Sequence, residues 1–325
     1  RQEGRGNAQG GSSRQALTHM LSSDARNRLA ALALLCLPLP LAADEEPLAA
    51  TWQRLQFAGE DLIGSVVTTL KLSPATLADL DVPPYRELHD TPDAFGSNQP
   101  LRLEANGEVR SLFSRSTTLA NAWFDAASGQ VLLRERTRPG RKGSSKIHRF
   151  GARGVARLRL EPADKRQAGL PTTHWSHRDH KFYPYDLQDS GCSQITIPAL
   201  LLYHVSSHPQ DSVYCVFHDD ALYRVRLESR GSKVLPVDYT VHSRGRLQQV
   251  SGTRPLEEIA LHVEPLGEQA DAGDFELLEL RGELAIQLDP QTRIPVEVSG
   301  SRAGLGDITL RLIDASAAAG IDLRR

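Results

Sequence analysis

The sequence predicts a mainly β fold made of antiparallel strands, with one or two short helices. Apolar and polar residues alternate with a period of two in most segments, turn-forming residues separate those segments, and helical periodicity is scarce. A period of two is typical of a strand that buries one of its faces. We therefore expect half-buried strands joined by short turns.

The N-terminal strands are predicted from this alternation. They cover residues 66–72, 122–124, 131–138, 146–150 and 156–160. Residues 125–130 and 139–145 are rich in turn-forming residues and connect three of these strands. Residues 73–80 are predicted as a short helix, and residues 82–100 as a proline-containing loop.

The C-terminal strands are clearer. They cover residues 223–227, 259–263, 284–288, 294–298 and 308–312. The last three follow one another through short turns, which predicts a meander. Residues 197–206 are predicted as a helix because their apolar side chains share overlapping faces and Pro198 suits an early helical position.

An export signal is predicted near the start of the sequence. Arg26 and Arg28 precede an apolar run, and Ala42 and Ala43 provide a small-residue exit, as in a cleaved signal peptide. We interpret residues 1–19 as upstream sequence outside the fold and residues 20–43 as the signal peptide. The run is shorter than the ~20 apolar residues of a membrane span, so we expect a periplasmic protein without a transmembrane segment.

Residues 44–325 are then expected to form a single large β domain, or two fused halves that meet near residues 161–195. Cys192 and Cys215 lie 23 residues apart and are the two cysteines after the signal. In an oxidising compartment they are a reasonable disulfide pair, and the alternative is two buried thiols.

Four segments carry a family resemblance. They are FDAASGQVL at 124–132, the stretch 185–203 with its helix IPALLLYH, VFHDDALYRVRLESRG at 216–231, and the closing region 282–312. Together they resemble the bacterial exported family catalogued as domain of unknown function 3108. This resemblance implies a strongly curved antiparallel sheet, similar to a β-sandwich or half-barrel, in the cell envelope, with no established catalytic residues. The chain departs from the family at residues 161–180, an apparent insertion, and at Ser206 and Ser207, where an arginine is commoner.

A histidine cluster is the first candidate site. His174, His177 and His180 form an H-x-x-H-x-x-H run, and imidazoles are common zinc and copper ligands. The spacing matches no named zinc signature, and the alternative is a polar loop that enters a strand. A metal-dependent periplasmic hydrolase built on these histidines is the second of two function hypotheses.

A basic segment is the second candidate site. Residues 134–159 contain ten arginines and lysines and one acid, Glu135. Arginine suits phosphate and carboxylate groups, so this hairpin could contact lipid headgroups or another envelope component, and the alternative is a solvated outer face. The candidate contact residues are Arg134, Arg136, Arg138, Arg141 and Lys142.

The first function hypothesis is a non-catalytic envelope protein that holds an apolar or amphiphilic ligand, or a partner protein, in a curved sheet. No catalytic residue and no cofactor are predicted, since no convergent acid, base and nucleophile can be named. The triplet His218, Asp219, Asp220 is predicted as a hairpin turn between clear strands. A formal net charge of −2 and the export signal predict no nucleic-acid partner.

Overall fold

The structure is a computed structural model that describes residues 50–61, 64–111, 115–140, 142–185, 191–192, 194–207, 212–267, 270–302 and 306–318. These residues all belong to one compact unit. The predicted upstream segment and signal peptide lie outside the described residues. Within the described ranges, no helix combines the length and apolar character needed to cross a membrane.

The described residues form fifteen strands in one sheet. In chain order they are β1 Trp52–Asp61, β2 Gly64–Pro74, β3 Pro100–Ser111, β4 Arg115–Asp125, β5 Val131–Arg138, β6 Ser144–Gly151, β7 Gly154–Glu161, β8 His177–Pro184, β9 Ile195–Thr196, β10 Val213–His218, β11 Ala221–Ser243, β12 Arg246–Leu266, β13 Arg281–Leu288, β14 Pro295–Arg302 and β15 Gly306–Ala317. Two short α-helices, α1 Lys165–Ala168 and α2 Leu201–Ser207, accompany them.

The sheet is curved and partly closes on itself. Its strand order is β8-β7-β6-β5-β4-β3-β2-β1-β15-β14-β13-β12-β11-β10-β9. The end of β11 also pairs with β15, from Thr240 with Asp314 to His242 with Ser316, so β11 to β15 form a ring. Most neighbours are antiparallel, and the β9–β10 and β11–β15 pairs are parallel. The prediction of a mainly β, strongly curved sheet is confirmed.

The predicted elements coincide with β2, β4 to β7 and β11 to β15, and the meander of the last three strands is confirmed. Strand β11 continues well past its predicted end because Val237, Tyr239 and Val241 keep alternating with polar residues. The helix predicted at 73–80 is a single 3-10 turn, Leu77–Leu80, in which only Leu80 is buried. With so little apolar surface to bury, a longer helix has nothing to stabilise it.

The helix predicted at 197–206 is confirmed as a 3-10 turn, Pro198–Leu200, that continues into α2. Every residue of α2 is buried, so this helix is a core element. Helix α2 packs against one face of β1 to β7, and β10 to β15 share the same apolar cluster. We call this face the inner face. Side chains of β1 to β7 on that face, such as Leu55, Leu70 and Phe150, share one apolar cluster with α2 and with β10 to β15.

The opposite side of β4 to β7, which we call the outer face, is covered by a second and smaller cluster. Trp123, Leu133 and Leu158 pack there against Leu80 and Leu88 of the loop that follows β2. Both faces of β4 to β7 are therefore buried. Any polar side chain on the inner face of these strands must find a partner inside the protein.

Cys192 and Cys215 lie at disulfide-bonding distance, with Cα atoms 5.6 Å apart. Cys215 is on β10, and Cys192 is three residues before β9. Strands β9 and β10 pair in parallel next to this contact, at Cys215 with Ile195. The cysteine pair therefore fixes the edge strand β9, which leads into α2.

Candidate functional site

Strands β5, β6 and β7 place cationic side chains side by side on the inner face. Arg134 pairs with His148, which in turn pairs with Arg157, while Arg136 pairs with Lys146. Arg134, Arg136, His148 and Arg157 are all buried. Burying charge is costly unless the charge is paired, so this surface requires carboxylates from another element.

The carboxylates come from the turn between β10 and β11. His218 pairs with Ala221, which leaves Asp219 and Asp220 as a two-residue hairpin loop. Their φ angles are 40° and 72°, both in the left-handed region that a tight hairpin of this type requires. Aspartate tolerates that region better than most residues. The predicted turn is confirmed, and its two carboxylates are directed at the basic surface.

Asp220 is the most extensively paired carboxylate of this turn. Its Oδ2 accepts a hydrogen bond of 2.8 Å from Nη1 of Arg157 and lies 3.5 Å from Nζ of Lys146. Its Oδ1 lies 3.2 Å from Nε2 of His148. Nη1 of Arg157 also donates to the hydroxyl of Tyr183 at 2.7 Å. The turn is thereby held to three strands of the sheet.

Asp219 makes the second connection. Its Oδ1 accepts a hydrogen bond of 3.0 Å from Nη1 of Arg136. Nη2 of Arg136 lies 3.9 Å from Glu276 and 3.6 Å from Glu279, two acids in the segment before β13. Arg136 is therefore surrounded by three carboxylates that arrive from two different loops.

Burial and pairing shift the ionisation of these groups in opposite directions. Burial alone would raise the pKa of Asp220, but hydrogen bonds from His148 and Tyr183 and the charge of Lys146 lower it well below its ordinary range. Burial lowers the pKa of His148 to about 4, so its imidazole is neutral at neutral pH. Neutral His148 then donates its Nε2 proton to Asp220.

An open recess of about 90 Å³ lies next to this charged cluster, on the inner face. Its wall consists mainly of small or apolar side chains on β2 to β4, together with the start of the helical segment at Ile197. The wall residues include Leu103, Ala105, Gly107, Ala120, Ala122, Pro198, Ala199 and Leu278. Arg134, Arg136, His218, Glu276 and Glu279 supply the polar end. The recess is thus apolar along its walls and charged at one end.

Three buried polar groups that line this recess have no hydrogen-bond partner among the described residues. They are Nε of Arg134, both ring nitrogens of His218 and Oγ1 of Thr68. Arg134 is 8% exposed and His218 is 3% exposed. Buried polar groups in folded proteins are nearly always satisfied by protein, water or ligand, so three in one recess point to a missing partner.

His218, Asp219 and Glu276 are also close enough to share a metal ion, since one ligand atom from each lies within 4.8 Å of the others. Nε2 of His218 lies 3.7 Å from Asp219 and 4.0 Å from Glu276. However, Arg136 already contacts both carboxylates. Both carboxylates are therefore already engaged by a guanidinium, and a divalent ion would have to compete with it.

The basic residues predicted from the sequence are divided by the structure. Arg134 and Arg136 are buried at the recess, so a solvated outer face is the wrong interpretation for these two. Arg138 and Lys142 are exposed and do not line the recess. Arg141 lies outside the described residues.

The three predicted histidine ligands are not brought together. His174 ends a 3-10 turn, whereas His177 and His180 belong to β8. Because residues three apart on a strand face opposite sides, His177 and His180 point away from each other. Nε2 of His180 instead lies 3.9 Å from Glu87.

Sequence reasoning missed the importance of His218, Asp219 and Glu276. One signal was available: the turn carries two adjacent acids, while residues 134–159 carry ten cationic residues and one acid. Charge complementarity between two distant segments could have suggested their contact.

Comparison of this chain with models of known protein families, with curated proteins and with solved structures finds no match in any of the three. The function must therefore be argued from the recess and the charged cluster beside it.

Proposed function

We propose that this protein is a non-catalytic, periplasmic binding protein of the bacterial cell envelope that holds an amphiphilic ligand in the recess of its curved sheet. The observation that carries the proposal is the composition of the recess. Small apolar side chains on β3 and β4 form much of its wall, and three buried polar groups without partners among the described residues also line it. An apolar pocket with a few convergent polar groups is the usual form of a small-molecule site.

The envelope location is supported by the predicted export signal, by the family resemblance and by the cysteine pair. Cys192 and Cys215 lie at bonding distance, and such pairs persist mainly in oxidising compartments such as the periplasm.

A binding role is favoured over hydrolysis by the contacts of the polar groups at the recess. The hydroxyls that line it belong to Thr68 and Thr118. Oγ1 of Thr68 has no hydrogen-bond partner, and nucleophilic catalysis requires a base within hydrogen-bonding reach. The metal-dependent alternative at His174, His177 and His180 gains no support from their separated positions.

The test is native mass spectrometry of the full chain, expressed with its N-terminal segment in a Gram-negative host and purified from the periplasm without chelator. We expect a cleaved N-terminus and a noncovalent adduct in the mass range of a small amphiphile. Retention of the chain in the cytoplasm would contradict the envelope location.

The recess itself is tested with Ala120→Leu, which adds a larger side chain to its wall. Ala127→Leu, in the exposed turn after β4, is the matched control. The adduct should be lost in Ala120→Leu and kept in Ala127→Leu. An adduct that survives Ala120→Leu would place the ligand elsewhere.

A further inference from the structure

In the part of the chain that the structure describes, the charges around the recess are balanced except at one residue. Nine ion-pair contacts within 4.0 Å join one network of described residues on the inner face. Its permanently cationic members are Arg136, Lys146, Arg157, Arg281 and Arg302, and its acids are Asp179, Asp219, Asp220, Glu276 and Glu279. The five cations and five carboxylates compensate one another.

Arg134 adds one positive charge to this balanced network. It is 8% exposed, and no carboxylate of the described residues lies within the 4.0 Å that defines an ion pair. Burial lowers the pKa of Arg134 to about 10, which leaves the guanidinium charged at neutral pH. The charges of Asp219 and Asp220 act on Arg134 from beyond ion-pair distance and offset only part of the cost of burying it, and an anion that enters the recess would relieve the rest.

His218 lines the same recess as Arg134 and supplies a hydrogen-bond donor that carries no charge. Burial lowers the pKa of His218, and the charge on Arg134 lowers it further, so the ring is neutral. One ring nitrogen of neutral histidine carries a proton, and neither nitrogen has a hydrogen-bond partner. The recess therefore offers one guanidinium and one neutral N–H donor to the same ligand.

The acids at the recess limit the charge that the ligand can carry. Glu276 and Glu279 also line it, and each is engaged by arginines: Glu276 by Arg281, and Glu279 by Arg302 at 3.6 Å. A dianion would meet these two carboxylates with only one unpaired cation to compensate it. A monoanion restores neutrality.

We infer that the ligand of this recess is an amphiphile with a single carboxylate head, held by Arg134 and His218, with its apolar part along the alanine-rich wall of β3 and β4. This inference rests on the proposed binding function. Arginine forks match carboxylate geometry, and hydrogen bonds to charged groups are the stronger ones.

The test is isothermal titration calorimetry of the full chain with four probes of equal chain length: sodium octanoate, octanol, octylammonium chloride and octyl phosphate. Octanoate should bind at least about tenfold more tightly than octanol. Octylammonium should bind most weakly. Equal affinity for octanoate and octanol would overturn the carboxylate assignment and leave the binding function intact, whereas no binding of any probe would contradict the binding function itself.

The Arg134→Met variant removes the charge and keeps an unbranched, flexible side chain. Its octanoate affinity should fall by about tenfold or more, to the level of octanol, while its octanol affinity stays unchanged. Arg159 is the control: it lies on β7, on the same face of the sheet as Arg134, and it pairs with Glu161. The Arg159→Met variant should bind octanoate like the unaltered protein. If Arg134→Met does not fold, the four-probe series on the unaltered protein still decides the question.

Two outcomes would replace the inference with another ligand class. Tighter binding of octyl phosphate than of octanoate would show that a dianion is preferred. Stoichiometric binding of Zn²⁺ to the unaltered protein, lost in His218→Ala and kept in His180→Ala, would assign His218, Asp219 and Glu276 as metal ligands and overturn the carboxylate site.

Discussion

Asp220 accepts a 2.8 Å hydrogen bond from Nη1 of Arg157, a residue 63 positions earlier in the chain. Arg157 is buried on β7, and Asp220 belongs to the turn between β10 and β11. This contact joins the N-terminal strands to the turn that follows His218. The geometry of the recess therefore depends on a pairing between two segments that are remote in sequence.

Asp220→Asn should destabilise the protein by about 3 kcal/mol. The substitution removes from Arg157 and Lys146 one of the two carboxylates that each contacts, and removing one partner of a buried ion pair is strongly unfavourable. Urea unfolding followed by circular dichroism measures the effect. Asp90→Asn, at an exposed carboxylate, is the control and should change the free energy of unfolding by less than about 0.5 kcal/mol. Equal effects of the two substitutions would contradict the structural role of Asp220.

The stability should decrease as the pH falls from 6.5 to about 4. The pKa of His148 is lowered to about 4 in the folded protein, whereas histidine in an unfolded chain titrates near pH 6.5. Between these values the unfolded state binds the extra proton, so acidification favours unfolding, by up to about 3 kcal/mol over the window.

The His148→Gln variant removes this titration and keeps an N–H donor for Asp220. Its unfolding free energy should depend less on pH between 4.5 and 7 than that of the unaltered protein. His180→Gln, at an exposed histidine, should leave the slope as it is. A slope unchanged by His148→Gln would assign the pH dependence to other groups.

Local periodicity predicted most of the strands because each buries one face, and alternation records that burial. It could not predict that β1 pairs with β15 or that β11 reaches β15, since those registers join distant segments whose order is set by the sheet as a whole. The antiparallel meander of β13 to β15 was predictable because its turns are short and local.

The candidate site was predictable only in part, for the same reason. The alternation placed Arg134 and Arg136 on one face of a strand but could not show that another element covers that face. Asp219 and Asp220 were predicted as part of a turn. Their carboxylates pair with Arg136 and Arg157 only because this turn docks against the basic strands, which the sequence does not reveal. The histidine run at 174–180 was conspicuous because its residues are close in sequence, and strand geometry separates them.

Replacing both Cys192 and Cys215 by serine should lower the free energy of unfolding by about 3 kcal/mol in protein purified from the periplasm. The pair closes a segment with a sequence separation of 23, and a covalent bridge restricts a loop of that size in the unfolded chain. Thermal unfolding of the two forms measures the difference. Labelling of the unaltered protein with iodoacetamide, before and after reduction, shows directly whether the two thiols are bonded. Two free thiols in the oxidised sample would contradict the bridge.

Ser206→Ala should destabilise the protein by about 1–2 kcal/mol, because the Oγ of Ser206 accepts a 2.9 Å hydrogen bond from the buried indole Nε1 of Trp52. Trp52 begins β1 and is 1% exposed, so without the serine its N–H stays in the core with no acceptor. Ser206→Thr keeps the acceptor and should recover part of the lost stability. Ser232→Ala, at an exposed position on β11, should have little effect in the same urea titration. If Ser206→Ala were as stable as Ser232→Ala, α2 would not be anchored to β1 through this bond, and its position beside the recess would depend on apolar packing alone.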